Sequence, residues 1–284
     1  MIALVLSSAV GALAARATQT APAAQTPAPE PALTWHDVTK WGVEGRAWPT
    51  AERKRWFDRF PATAEGKVTE AVWGLSRDSA GMLVRFRTDA PTIWADYTLF
   101  RDRLAGANMT AIGASASRPG MAHPAILGRR LDRPVVNLGF SGNGRMDAAV
   151  GDYLITIDAA VYVIDCLPNM AAADVKLKCV PLVNQLRAAK PNTPIVLVED
   201  RRNTNSWILP ARNQHHTDNH AALRACFAAL QKAGVKGLFY LEGDDLLGDD
   251  AEAATDGSHP SDLGFVRQAD RFEPVLRKAL GQTR

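Results

Sequence analysis

Two ionisable residues three apart, Asp256 and His259, stand in the polar stretch "TDGSHPSDLGF" (255–265), just ahead of an apolar run. At that spacing a carboxylate can hold one nitrogen of an imidazole and leave the other to take a proton from a nucleophile. The same residue types also serve as turn and cap chemistry, because short polar side chains accept from free backbone N–H groups. Other parts of the chain must decide. "GFSGNG" (139–144) offers Gly139, Gly142 and Gly144, where backbone N–H groups can approach a ligand, although a plain glycine-rich turn has the same composition. Asn169 in "CLPNM" (166–170) can donate its amide to a developing oxyanion, or act as a cap. "HHTDNH" (215–220) sets His216 and His220 four apart, the helical spacing of paired zinc ligands, but without the Glu of the metalloprotease motif. A polar loop before a helix starting near Asn219 is the expectation there, and neither a metal nor an organic cofactor is expected.

These residues need a frame. Beyond residue 108, apolar β-branched runs alternate with helical patterns: "VVNL" (135–138), "AVYVID" (160–165), "PIVLVE" (194–199) and "GLFYL" (237–241), separated by candidate helices 124–132, 147–157, 175–189 and 219–233. A fifth helix, 262–280, closes the chain. The pattern predicts an α/β fold, a doubly wound, flavodoxin-like parallel sheet, whose ligands bind beyond the carboxyl ends of the strands. The glycine loop, Asn169 and the Asp256/His259 stretch all follow strands at that end. A dinucleotide site is not predicted, because the glycine spacing is not G-x-G-x-x-G at the first strand.

Residues 33–107 read differently, with short runs of Val, Ile, Trp, Phe and Thr in "AVWGLSRDSAGMLVRFRTDAPTIWADYTL" (71–99) that predict a small antiparallel β domain. Trp35, Trp48, Trp73 and Trp94 fit core aromatics better than sugar-stacking platforms. Ahead of this, "MIALVLSSAVGALAARA" reads as the apolar core and cleavage zone of an export signal, and "TQTAPAAQTPAPEPA" as a Pro/Ala-rich linker, so residues 1–32 are set apart and a secreted or periplasmic location is expected. No later stretch is long and apolar enough to span a bilayer.

Composition narrows the partners. The 284 residues are 46% hydrophobic and 22% charged, with a formal charge of +3 spread without a Lys/Arg run, which argues against nucleic acid. Cys166, Cys179 and Cys226 are too few and too irregular for a disulfide framework or a zinc site; a bridge between two of them would need an oxidising compartment, and nothing in the spacing selects the pair.

A glycine loop, an Asn loop and a terminal Asp-x-x-His, in that order on an α/β sheet, resemble the SGNH (GDSL-type) hydrolases. The match spans roughly 112–280 and is most specific in "DGSHPSDLGF". The resemblance implies an oxyanion hole built from the Gly142 N–H, the Asn169 side chain and the nucleophile's own N–H, with His259 as base and Asp256 orienting it. "ASRPGMAHPAILGRRLDRPVVNLGFSGNGRMD" is similar, more narrowly, to a secreted subgroup with a small β-sandwich ahead of the catalytic domain. The first block, "NMTAIGASASRPGM", departs from the family pattern: Gly113-Ala114-Ser115 keeps the Gly-x-Ser core, but the stretch after it is shortened. Ser115 is the preferred nucleophile over Ser117, because a Gly two residues earlier permits the sharp strand-to-loop turn. The implied activity is a serine esterase acting on small acyl groups, such as acetylated carbohydrate. The competing class keeps the fold without turnover, as a glycan- or protein-binding module.

Overall fold

The computed structural model describes residues 33–98, 100 and 116–282. The export-signal segment, the strand expected ahead of Ser115, and Ser115 itself lie outside the described residues. The chain divides into two units, Met1–Asp37 and Val38–Arg284. In the first, residues 33–37 form no regular element.

The second unit is an α/β structure around a parallel sheet. Its elements are α1 (Glu70–Ser76), α2 (His123–Leu131), α3 (Ala148–Leu154), β1 (Tyr162–Ile164), α4 (Ala172–Ala189), β2 (Ile195–Val198), α5 (Pro210–Lys232), β3 (Leu238–Leu241) and α6 (Asp262–Ala279). Strand order among the described residues is β1-β2-β3, all parallel, with Ile195 opposite Tyr162 on one side and Leu238 on the other. The central strand β2 is buried on both faces, so it reads as an unbroken apolar run. Its side chains alternate between two layers: Ile195 and Leu197 meet Val175, Leu186 and Leu223 of α4 and α5, while Val196 and Val198 meet Ile126 of α2 and Phe265 and Phe272 of α6. Helices therefore cover both faces, as the alternating pattern predicts.

Three expectations differ in the structure. "VVNL" (135–138) is extended but joins no ladder. A side chain meets one of its carbonyls and one just beyond it: the guanidinium of Arg59, only 3% exposed, donates to Asn137 O at 3.2 Å and Gly139 O at 2.6 Å. Between residues 38 and 98 no strand forms among the described residues; there is one isolated antiparallel bridge, Glu44 to Leu83, and the helix α1. Ile93, Trp94 and Tyr97 have strand-prone side chains but are 63%, 59% and 71% exposed, because a single extended segment without a paired neighbour has no face to bury. Trp48 and Trp73 do pack as core aromatics around Phe60 and Phe140, whereas Trp35 and Trp94 are exposed. Third, α5 begins at Pro210, nine residues before the expected start. Proline suits the first helical turn, where its missing N–H has no partner to lose. "HHTDNH" is therefore helix, not loop.

All three cysteines are free thiols. Cys179 and Cys226 are buried between α4 and α5, and burial pushes the Cys179 thiol up to about 12.

Candidate active site

The loop between β3 and α6 holds Asp256 and His259 in one rigid turn. Oδ1 of Asp256 accepts from the N–H groups of Ser258 (2.9 Å) and His259 (2.7 Å), and Oδ2 lies 2.6 Å from Nδ1 of the His259 ring. Burial alone would raise this carboxyl. The hydrogen bonds from the His259 backbone, the His259 ring and the Ser258 backbone outweigh it and hold the group well below the ordinary carboxylate range. The helix-capping role falls elsewhere, to Ser261, whose side chain accepts from the Gly264 N–H. Asp256 is thus committed to the imidazole and its own turn. With Nδ1 engaged, Nε2 is the ring nitrogen left to receive a proton.

Contacts within the loop and from the segment after β2 fix the turn. Thr255 N donates to His259 O at 3.0 Å and Ser261 N to Ala253 O at 2.9 Å, closing the loop on itself. Across from it, the segment following β2 supplies Thr204 N to Gly257 O at 2.8 Å and Arg201 Nε to Ser258 O at 2.7 Å. Gly257 makes that approach with φ +82°, where a Cβ would run into the Asn205 side chain. Arg201 also faces the carboxylates of Asp165, at the end of β1, and of Asp256. Sequence reading missed Arg201 and Thr204; their position directly after a buried strand is the signal that could have found them.

The glycine loop and Asn169 come together. Asn143 N and Gly144 N both donate to Phe140 O, at 2.7 and 2.9 Å, making a tight turn that carries Gly142 at φ +69°. No described residue accepts from the Gly142 N–H. Asn169 Nδ2 reaches Gly144 O at 3.4 Å, so its amide borders the same turn. Asn219, fully buried on α5, donates to Met170 O at 2.9 Å and braces this loop from behind.

The two serines are placed differently. Ser117 is exposed, and both its N–H and its hydroxyl donate to the Asp262 carboxylate in the first turn of α6. It is engaged with Asp262, three residues beyond His259. Ser115 lies outside the described residues.

Among the described residues a parallel sheet lies between two helical layers, with Asn169 and the Asp256/His259 turn beyond the carboxyl ends of β1 and β3, and this defines an α/β protein. Residues 105–277 match the GDSL-like lipase/acylhydrolase family, and residues 33–116 match the N-terminal domain of SGNH-hydrolase-type esterases. The chain belongs to the GDSL-like lipase/acylhydrolase family. It is similar to a crystal structure from Bacteroides ovatus described as that of a GDSL-like lipase, at 36% identity and a TM-score of 0.58, over 60% of this chain and 51% of that one. It shares its fold with the salicylyl-acyltransferase SsfX3 of a tetracycline biosynthetic pathway, at 19% identity and a TM-score of 0.50, over 60% of this chain and 52% of that one. The chain spans about half the length of these two solved structures. No curated protein matches it.

Proposed function

We propose that this protein is an exported serine esterase that releases small acyl groups, such as acetyl, from carbohydrate. The observation that carries the reading is the Asp256–His259 pair, with Oδ2 and Nδ1 2.6 Å apart in a turn locked to the segment after β2. Ser115 Oγ attacks the ester carbonyl while Nε2 of His259 takes its proton, and Asp256 holds the tautomer that leaves Nε2 free. The oxyanion is met by the Ser115 N–H, the Gly142 N–H and the Asn169 amide. His259 then passes the proton to the departing alcohol, and a water activated by the same nitrogen releases the acid and restores the serine. Family membership supports the reaction class; the glycan substrate and export rest on the sequence resemblance.

Hydrolysis of p-nitrophenyl acetate by the parent chain and its Ser115→Ala and Ser117→Ala variants tests the reading. Activity is expected to vanish in Ser115→Ala and to persist in Ser117→Ala, because Ser117 is held by Asp262. Loss in Ser117→Ala alone would transfer the nucleophile, and a folded but inert parent would overturn the esterase assignment.

A further inference from the structure

A second cluster of reactive groups lies beside the candidate active site and is used by none of its steps. Asp200 follows β2, and His216 and His220, one turn apart on α5, face it. The three residues are 1%, 5% and 2% exposed. His216 Nδ1 lies 2.6 Å from Asp200 Oδ2, and His220 Nε2 lies 3.0 Å from Asp200 Oδ1. One donor atom from each of the three fits within 4.8 Å of the others. From this geometry we infer that Asp200, His216 and His220 form a binding site for a divalent transition-metal ion, zinc by its donor set.

Four observations carry the inference. A carboxylate as deeply buried as Asp200 needs charge compensation; the two imidazoles pair with it directly, and the Arg201 guanidinium acts on it from further off while also facing Asp165 and Asp256. Asp200 Oδ1 is fully buried and makes no hydrogen bond. A tetrahedron with metal–ligand bonds of about 2.0–2.2 Å has edges of roughly 3.3–3.6 Å, so the 3.0 Å between Asp200 Oδ1 and His220 Nε2 needs to open by only a few tenths of an ångström to admit the ion. The outer carboxylate is also in place: Glu199 Oε2 lies 3.2 Å from His220 Nδ1, on the side of the ring away from Asp200, where metal-bound imidazoles commonly direct their remaining N–H.

Two imidazoles and one carboxylate suit zinc, and three protein ligands leave a fourth position for water. Coordination moves the His216 proton to Nε2, at the expense of the long 3.3 Å contact from the Asn203 N–H, and moves the His220 proton to Nδ1, at the expense of the 2.8 Å contact between Nε2 and the Asp200 backbone carbonyl. The ion would tie the end of β2 to α5 and so fix the intervening segment. Arg201 and Thr204 of that segment hold the carbonyls of Ser258 and Gly257. Zinc here would position the Asp256/His259 turn without touching the substrate.

The test uses the untagged full chain, stripped with a chelator and titrated with Zn2+ by calorimetry, with Co2+ as a spectroscopic probe. One ion should bind per chain, Co2+ should give the intense visible absorption of a four-coordinate site, and saturating Zn2+ should raise the melting temperature by several degrees, as a ligand selective for the folded state must. His259→Ala should bind Zn2+ like the parent, which separates this site from the exposed imidazole of the active-site turn. Asp200→Asn and His216→Gln, checked for folding by circular dichroism, should lose binding at least tenfold. The inference is overturned if the stripped parent takes up no Zn2+ and its melting temperature does not move, since the cluster is then held together by protons alone. It is equally overturned if the folded variants bind as the parent does, or if binding disappears in His259→Ala. None of these readouts depends on ester turnover, so the outcome stands apart from that of the esterase assay.

Discussion

At the scale of single residues, position within the loops determines what each side chain can contribute. Asn169 borders the glycine turn through its contact to Gly144 O, so its amide can serve an oxyanion held by the Gly142 N–H. Asn169→Ala is expected to lower kcat on p-nitrophenyl acetate about a hundredfold with little change in KM, since an oxyanion donor acts mainly in the transition state. An unchanged kcat would remove Asn169 from the site. Asp165, 19% exposed at the end of β1, has its carboxyl pushed up to about 6 by burial, with Arg201 pulling it down and Asp200 pushing it further up. The folded protein then keeps a proton on Asp165 that the unfolded chain releases near the ordinary value of 3.8. Stability must fall as the pH rises through that window, and the loss is complete above it. Asp165→Asn does not titrate. In denaturant unfolding, its stability relative to the parent should increase between about pH 4 and pH 7, and a pH-independent difference would refute the shifted carboxyl.

The elements explain why some of these groups could be read in the sequence and others could not. Helix ends and strand positions were predictable where period and punctuation agree: α6 runs Asp262–Ala279 against an expected 262–280, and the expected strands 160–165, 194–199 and 237–241 contain β1, β2 and β3. Asp256 and His259 were legible because their chemistry is local, three residues apart in one turn. Asp200 was not, because it meets His216 and His220, whose spacing alone was visible, only when β2 packs on α5. Ser117 shows the same limit, since its partner Asp262 lies 145 residues away. The contacts that hold the Asp256/His259 turn are non-local as well. Gly257→Ala tests them: it places a side chain at φ +82° and drives a Cβ into Asn205. A loss of about 1–2 kcal/mol in stability is expected from the backbone conformation and the displaced neighbour. Because the turn carries the proposed base His259, kcat should fall by more than that stability loss alone would produce in a still fully folded protein. Full activity in Gly257→Ala would mean that the approach of Thr204 to this turn does not matter for catalysis.

For the whole molecule, the question is how residues 38–98 relate to the α/β framework. They make no sheet of their own among the described residues, yet they are not a loose appendage. Phe60, Ala64, Val68 and Val72 form a small core with Phe140, from the glycine-loop side, and Tyr153 of α3 packs on it. Arg59 is the polar counterpart of that core. Its guanidinium donates to Leu75 O (2.6 Å) and Asp78 O (3.0 Å) on one side and to Asn137 O and Gly139 O on the other. Burial lowers its pKa to about 10, with Asp78 opposing, so the group stays charged at neutral pH. A single side chain therefore meets the Asn137 carbonyl within "VVNL" and the Gly139 carbonyl just after it, and it anchors the glycine loop to α1. Arg59→Met keeps much of the volume and strips four carbonyls, one buried and three part-buried, of their donor. Leaving buried acceptors unpaired should destabilise the protein by about 3 kcal/mol or more. For a chain of this size, that lowers the melting temperature by roughly 6–12 °C. The glycine loop would lose its anchor at the same time, so activity should fall even below the new melting temperature. A variant that melts with the parent and turns over as fast would show that residues 38–98 and the α/β framework are energetically separate.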